Sequence, residues 1–135
     1  MNIINSYKNQ HSIILSLCKS MQNAVETCCN KNDISYFRGI QKTLDDILMK
    51  HLQAEDKYLY PSIYKNAESK IHDIAHTFQD EMLKTTTIYT NYTQNYKENN
   101  LIEKDIETFV KDTSFMLSSI VARIEKEEKE LYSLF

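Results

Sequence analysis

Apolar positions recur at intervals of three and four residues in four stretches of the chain, the spacing of amphipathic helices. The first stretch carries Ile4, Tyr7, His11, Ile14, Cys18, Met21, Val25 and Cys28. The polar run Asn30-Lys31-Asn32-Asp33 breaks it, and Asp33 has the chemistry of an N-cap for the next helix. The second carries Phe37, Ile40, Leu44, Ile47, His51, Ala54, Glu55 and Tyr58, and is expected to end near Pro61. Gly39 within it is a local weakness, not a stop. The third begins around Asn66, carries His72, Ala75, His76, Gln79, Met82, Leu83 and Tyr89, and runs to about Tyr96. It is rich in Thr, Asn and Tyr from Thr85 onward, so a loosely packed end is expected there. After the polar break Lys97-Glu98-Asn99-Asn100 the fourth carries Ile106, Phe109, Val110, Thr113, Met116, Leu117, Ile120, Arg123, Glu127 and Leu131. Short polar connections make neighbouring helices antiparallel. The expected fold is all-α, an up-down-up-down four-helix bundle formed as a single domain over residues 1–135.

Composition narrows the functional classes. With one Gly and one Pro, the chain lacks the turn residues that all-β folds use. A net charge of −3 gives no basic excess for nucleic acid. No window approaches 18 apolar residues, and Met1–Gln10 lacks the basic and apolar regions of a signal peptide. Three cysteines, with Cys28 and Cys29 adjacent, make a poor disulfide framework; they read as thiols of a protein in a reducing, cytoplasmic setting.

The remaining signal is polar. All four histidines, His11, His51, His72 and His76, fall on or beside an inward stripe. Glu55 follows His51 by four residues, on one helical face; His72 and His76 share that spacing. Glu127 keeps the phase of Ile120 and Leu131, unlike its charged neighbours Glu125, Lys126 and Lys129. In an up-down bundle these positions lie roughly 9–15 Å from the same end, at about 1.5 Å per residue. Each piece alone has an ordinary structural explanation. Together, imidazoles and carboxylates from four helices in one layer suit iron or manganese better than zinc, and two bridging carboxylates suit a pair of ions.

These residues resemble the haemerythrin-like, or HHE cation-binding, domain. The resemblance spans nearly the whole chain. It is carried by Asn9-Gln10-His11, His51-Leu-Gln-Ala-Glu55-Asp-Lys-Tyr-Leu-Tyr-Pro61, Ile71-His72-Asp-Ile-Ala-His76 and Arg123-Ile-Glu-Lys-Glu127-Glu-Lys-Glu-Leu-Tyr132. It implies a four-helix bundle holding two iron ions in a non-haem di-iron site. His11 and His51 would bind one iron, His72 and His76 the other, and Glu55 and Glu127 would bridge. One position departs. Where the family has a histidine four or five residues before the last bridging carboxylate, this chain has Arg123 and Ala122. Neither offers a free lone pair. Water, a tyrosine or a carboxylate would fill the gap, or the second ion would be weak or absent, or Arg123 would pair with Glu127.

Ferrous iron with an open position binds dioxygen, nitric oxide or peroxide by electron donation. Ile14, Ile47, Leu48, Leu83 and Ile120 would form an apolar wall that limits water. No substrate pocket or general acid–base pair is evident. The first expectation is therefore a ligand-binding protein for dioxygen (carriage, storage or sensing) rather than an enzyme. The alternatives are a di-iron stress protein handling nitric oxide or peroxide or repairing iron–sulfur centres, and a metal-free helical interaction module.

Overall fold

A computed structural model describes residues 3–28, 30–66 and 68–134. Among these residues there are helices and turns and no strand. The elements are α1 (Ile3–Glu26), α2 (Lys31–Ala54), a π-helical turn (Glu55–Leu59), α3 (Tyr60–Asn66), α4 (Ser69–Asn95), the short α5 (Asn99–Lys104), α6 (Ile106–Lys126), a second π-helical turn (Glu127–Leu131) and a 3₁₀ turn (Tyr132–Leu134). The expected four helices are present. Helix α5 is an addition, formed where only a polar break was expected.

The architecture is an all-α, up-down-up-down bundle. Helix α1 packs on α2 and α6, and α4 packs on α6 and α3. The loop before α2 is fixed by a reciprocal cap. Asn30, not Asp33, is the N-cap: its Oδ1 accepts from the Asp33 amide at 3.0 Å, and Asp33 Oδ2 accepts from the Asn30 amide at 3.1 Å. At α6, Asp105 caps the Thr108 amide at 3.1 Å.

Pro61 does not end the second helix, which continues through it to Asn66. The π turn explains this. Its wide winding makes the Tyr60 amide bond back to the Glu55 carbonyl and restarts an α-helix at Tyr60. Pro61 therefore sits in a first turn, where a missing N–H costs nothing. The extra residue also shifts the inward face. Tyr58 is exposed, while Leu59, Tyr60 and Ile63 are buried.

Two apolar clusters stack along the bundle. The larger includes Ile14, Cys18, Met21, Val25, Phe37, Leu44, Leu48, Tyr89, Tyr92, Phe109, Met116 and Ile120. The smaller includes Ile4, Tyr7, Leu59, Tyr60, Ile63, Phe78, Met82, Leu131 and Tyr132. Helix α4 keeps Ala75, Met82 and Tyr89 of its expected stripe inward, with the buried face shifted toward Phe78 and Tyr92. Ala75, Phe78, Met82, Tyr89 and Tyr92 face inward, His76 is exposed and Leu83 is 66% exposed, so Leu83 is not part of the apolar wall. The tyrosine-rich end of α4 is well packed, contrary to the expectation of a loose end. Tyr89 donates to Asp45 at 2.8 Å, Tyr92 pairs with Thr113 at 2.6 Å, and Tyr96 donates to Asp112.

Cys18 is a buried free thiol, pushed up by burial to about 12. Cys28 is disulfide-bonded, which corrects its reading as a thiol; Cys29 lies outside the described residues. Among the described residues, no helix is long and apolar enough to cross a membrane.

Phe109 is fully buried and meets Phe37 and Tyr96 at centroid distances of 5.2 and 5.1 Å, whereas Phe115 is 62% exposed on the same helix. Phe109→Ala is expected to cost about 3–5 kcal/mol in chemical denaturation. Phe115→Ala is expected to stay within about 0.5 kcal/mol.

Candidate metal centre

The polar layer lies between the two apolar clusters. On α1, His11 falls between Tyr7 of one cluster and Ile14 of the other. His51 falls between Leu48 and Leu59, and Glu127 between Ile124 and Leu131. His11, His51, Glu55 and Glu127 are all buried. Water is therefore excluded from groups that need partners.

The imidazoles face each other, with His11 Nε2 and His51 Nε2 2.9 Å apart. Their other nitrogens are committed. His11 Nδ1 lies 2.8 Å from Glu128 Oε2, and His51 Nδ1 pairs with Gln10 Oε1. A carboxylate and an amide oxygen only accept, so each Nδ1 carries a proton, and in the neutral ring Nε2 then presents a lone pair. Two lone pairs facing at this distance repel unless a proton or a metal cation lies between or beside them. Around them stand Glu127 Oε1, 3.4 Å from His11 Nε2, and Glu55 Oε1, 3.3 Å from His51 Nε2. Donor–donor edges of roughly 3.0–3.4 Å are what octahedral or tetrahedral coordination at about 2.1 Å requires. Glu55 Oε1 and Glu127 Oε2 are buried and take part in no hydrogen bond. Among the described residues, His11, His51 and Glu127 each bring a ligand atom within 4.8 Å of the others. The donor set fits a transition-metal cation, which would be held by imidazole nitrogens whose rings Gln10 and Glu128 orient from behind.

The two carboxylates are driven apart in acidity. Burial raises Glu55, while hydrogen bonding to its carboxylate, including the bond that Tyr132 donates at 2.7 Å, holds it below the usual carboxylate range. Burial, and then the negative charge of Glu55, push Glu127 well above that range. A bound cation removes the conflict by screening both.

The second expected ion has a different environment. Arg123 is buried beside Glu127. Its guanidinium donates to the Phe78 carbonyl and to Glu81 Oε2 at 3.2 Å, and lies 4.6 Å over the Phe78 ring. Its positive charge acts on Glu127. Lys126 joins the same Glu81 carboxylate at 2.6 Å. His72 and His76 are not brought to the His11–His51 cluster. His76 is exposed, its ring tilted on Tyr64 at 4.7 Å. His72 is half-buried against the edge of the same Tyr64 at 5.5 Å, and its Nε2 has no hydrogen-bond partner.

A family model, the Hemerythrin HHE cation binding domain, matches residues 2–135. The chain belongs to this family of cation-binding helical domains. No curated protein matches it. No solved structure matches it.

Gln10, Glu128 and Tyr132 were not singled out as site residues by sequence reasoning. Two signals pointed to them. Gln10 and Glu128 each adjoin a site residue, and the hexapeptide Glu-(Asp/Glu)-Lys-X-Leu-Tyr occurs twice, at 55–60 and at 127–132.

His51→Ala or Glu55→Ala is expected to abolish ferrous-iron binding, measured by elemental analysis after reconstitution. Glu125→Ala, at an exposed position, is expected to leave it unchanged. Gln10→Ala or Glu128→Ala is expected to weaken affinity by about 10–100-fold.

Proposed function

We propose that this chain is a non-haem iron protein that binds dioxygen, for carriage, storage or sensing, through iron held by His11, His51, Glu55 and Glu127. The observation that carries the reading is the 2.9 Å approach of two imidazole Nε2 atoms, each ring held through its Nδ1 by Glu128 or Gln10. The mixed nitrogen and carboxylate set favours iron or manganese over softer or harder metals. When bound, ferrous iron supplies electron density to dioxygen or to a comparable small ligand such as nitric oxide or peroxide.

The chain's own residues set the conditions. A cavity of about 20 Å³ adjoins His51, Arg123 and Glu127, lined otherwise by side chains that include Leu48, Met82, Ile120 and Ile124. That volume holds about one water-sized guest, which favours a diatomic over a larger substrate. Its apolar lining limits water at the metal. Gln10 and Glu128 hold the imidazoles in one tautomer.

The resemblance carries a second iron on His72 and His76, bridged by Glu55 and Glu127. The buried, unpartnered Nε2 of His72 favours that reading. Against it stands the fixed positive charge of Arg123 beside Glu127, which a second cation would have to displace or oppose. We therefore infer one tightly held iron per chain.

The reduced, iron-loaded protein is expected to gain a visible charge-transfer band in air and lose it on removal of oxygen. Iron analysis is expected to give one ion per chain, rising toward two in Arg123→His. A colourless aerobic protein that retains iron would contradict dioxygen binding, and turnover of peroxide would favour the stress-protein alternative. Absence of iron after reconstitution would leave a metal-free helical module.

A further inference from the structure

The repeated hexapeptide has a structural counterpart. Each copy winds as a π turn, with the amide of Tyr60 bonded to the carbonyl of Glu55 and that of Tyr132 to the carbonyl of Glu127. In an α-helix residues five apart point about 140° from each other. The wider turn takes up the extra residue and brings them toward one face. Glu, Leu and Tyr are accordingly buried in both copies. Each π turn thus presents a carboxylate and a phenol to the polar layer.

The phenols near the layer have different surroundings. Tyr7 donates its hydroxyl to the Ala54 carbonyl at 3.2 Å and is committed there. Tyr60 feels the charges of Glu55, Glu127 and Arg123, but its hydroxyl has no hydrogen-bond partner in the cluster. Tyr132 is inside the donor cluster. Its oxygen donates to Glu55 Oε2 at 2.7 Å and lies 3.3 Å from His11 Nε2. Its ring stacks on His11 at 5.3 Å with an interplanar angle of 13°. Measured from His11 Nε2, the phenol oxygen is as close as the carboxylate of Glu127, at 3.3 against 3.4 Å.

We propose that Tyr132 is a fifth protein donor of this centre, binding ferric ion through its phenol oxygen. The inference rests on the iron site proposed above. Charge favours it. The carboxylates of Glu55 and Glu127 match a ferrous ion, and a ferric ion carries one further positive charge that a phenolate neutralises. On binding, the Tyr132 O–H bond breaks, an oxygen–iron bond forms, and the proton leaves to solvent. No electron moves in that step.

The test loads the full-length, metal-free chain with a ferric chelate under anaerobic conditions, and reads iron content, visible absorption and resonance Raman scattering together. The expected result is a visible band that enhances phenolate ring vibrations. Tyr132→Phe should lose both the band and the vibrations while keeping its iron, and Tyr60→Phe and Tyr7→Phe should keep them. Phenolate vibrations that persist in Tyr132→Phe would overturn the proposal. So would their absence from the iron-loaded wild-type chain, a result that does not depend on how the variant folds. If the wild-type chain takes up no iron, the iron site fails and this inference fails with it; if iron binds without phenolate vibrations, only this inference fails.

Discussion

Two imidazole lone pairs and two carboxylates share one dry layer of this bundle, and that constraint organises the rest of the molecule. Burying such groups costs several kcal/mol for each charge, which pairing among themselves does not offset. Glu128 and Gln10 engage Nδ1 of His11 and His51, which leaves the facing Nε2 atoms as the donor atoms of the neutral rings. A cation held by His11, His51 and Glu127 would supply a partner that these groups lack among themselves. The apolar clusters on either side exclude water and fix the four side chains to within a few ångströms. In this family a cation-binding role follows from that arrangement.

The π turns are the second constraint. Both begin at a buried glutamate and end with a buried leucine and tyrosine. A regular helix would turn each tyrosine away from its glutamate. The wider winding is less favourable than an α-helix, and such turns concentrate at functional sites. Here they aim extra oxygen atoms at the layer. Arg123 adds an asymmetry. Anchored by Phe78 and Glu81, it sets a permanent positive charge that acts on Glu127, whose Oε1 lies 3.4 Å from His11 Nε2.

Much of this was legible in the amino-acid sequence. The stripes of α1 and α6 matched because their apolar residues are large, unbroken in phase and flanked by charges. The buried places of His11, His51, Glu55 and Glu127 followed from the same phase. The stripe of α4 is legible in part: Ala75, Met82 and Tyr89 are buried as expected, whereas His72 and His76, four residues apart, suggest an inward face that the larger apolar side chains of Phe78 and Tyr92 displace. A period of 3.6 cannot represent a π turn, so Pro61 looked like a stop and Tyr58 like a core residue. Asp33 reads as the cap because Asn and Asp share N-cap chemistry and the run 30–33 holds both. Gln10 and Glu128 act through a neighbour's ring and carry no periodic signal.

The most direct test is thermal unfolding of the metal-free chain, followed by helical circular dichroism, with and without excess ferrous iron in the absence of air. A cation that binds only the folded layer stabilises it by mass action. The account predicts a clear upward shift of the unfolding midpoint that disappears in His51→Ala. An unchanged midpoint, or an equal shift in that variant, would contradict it.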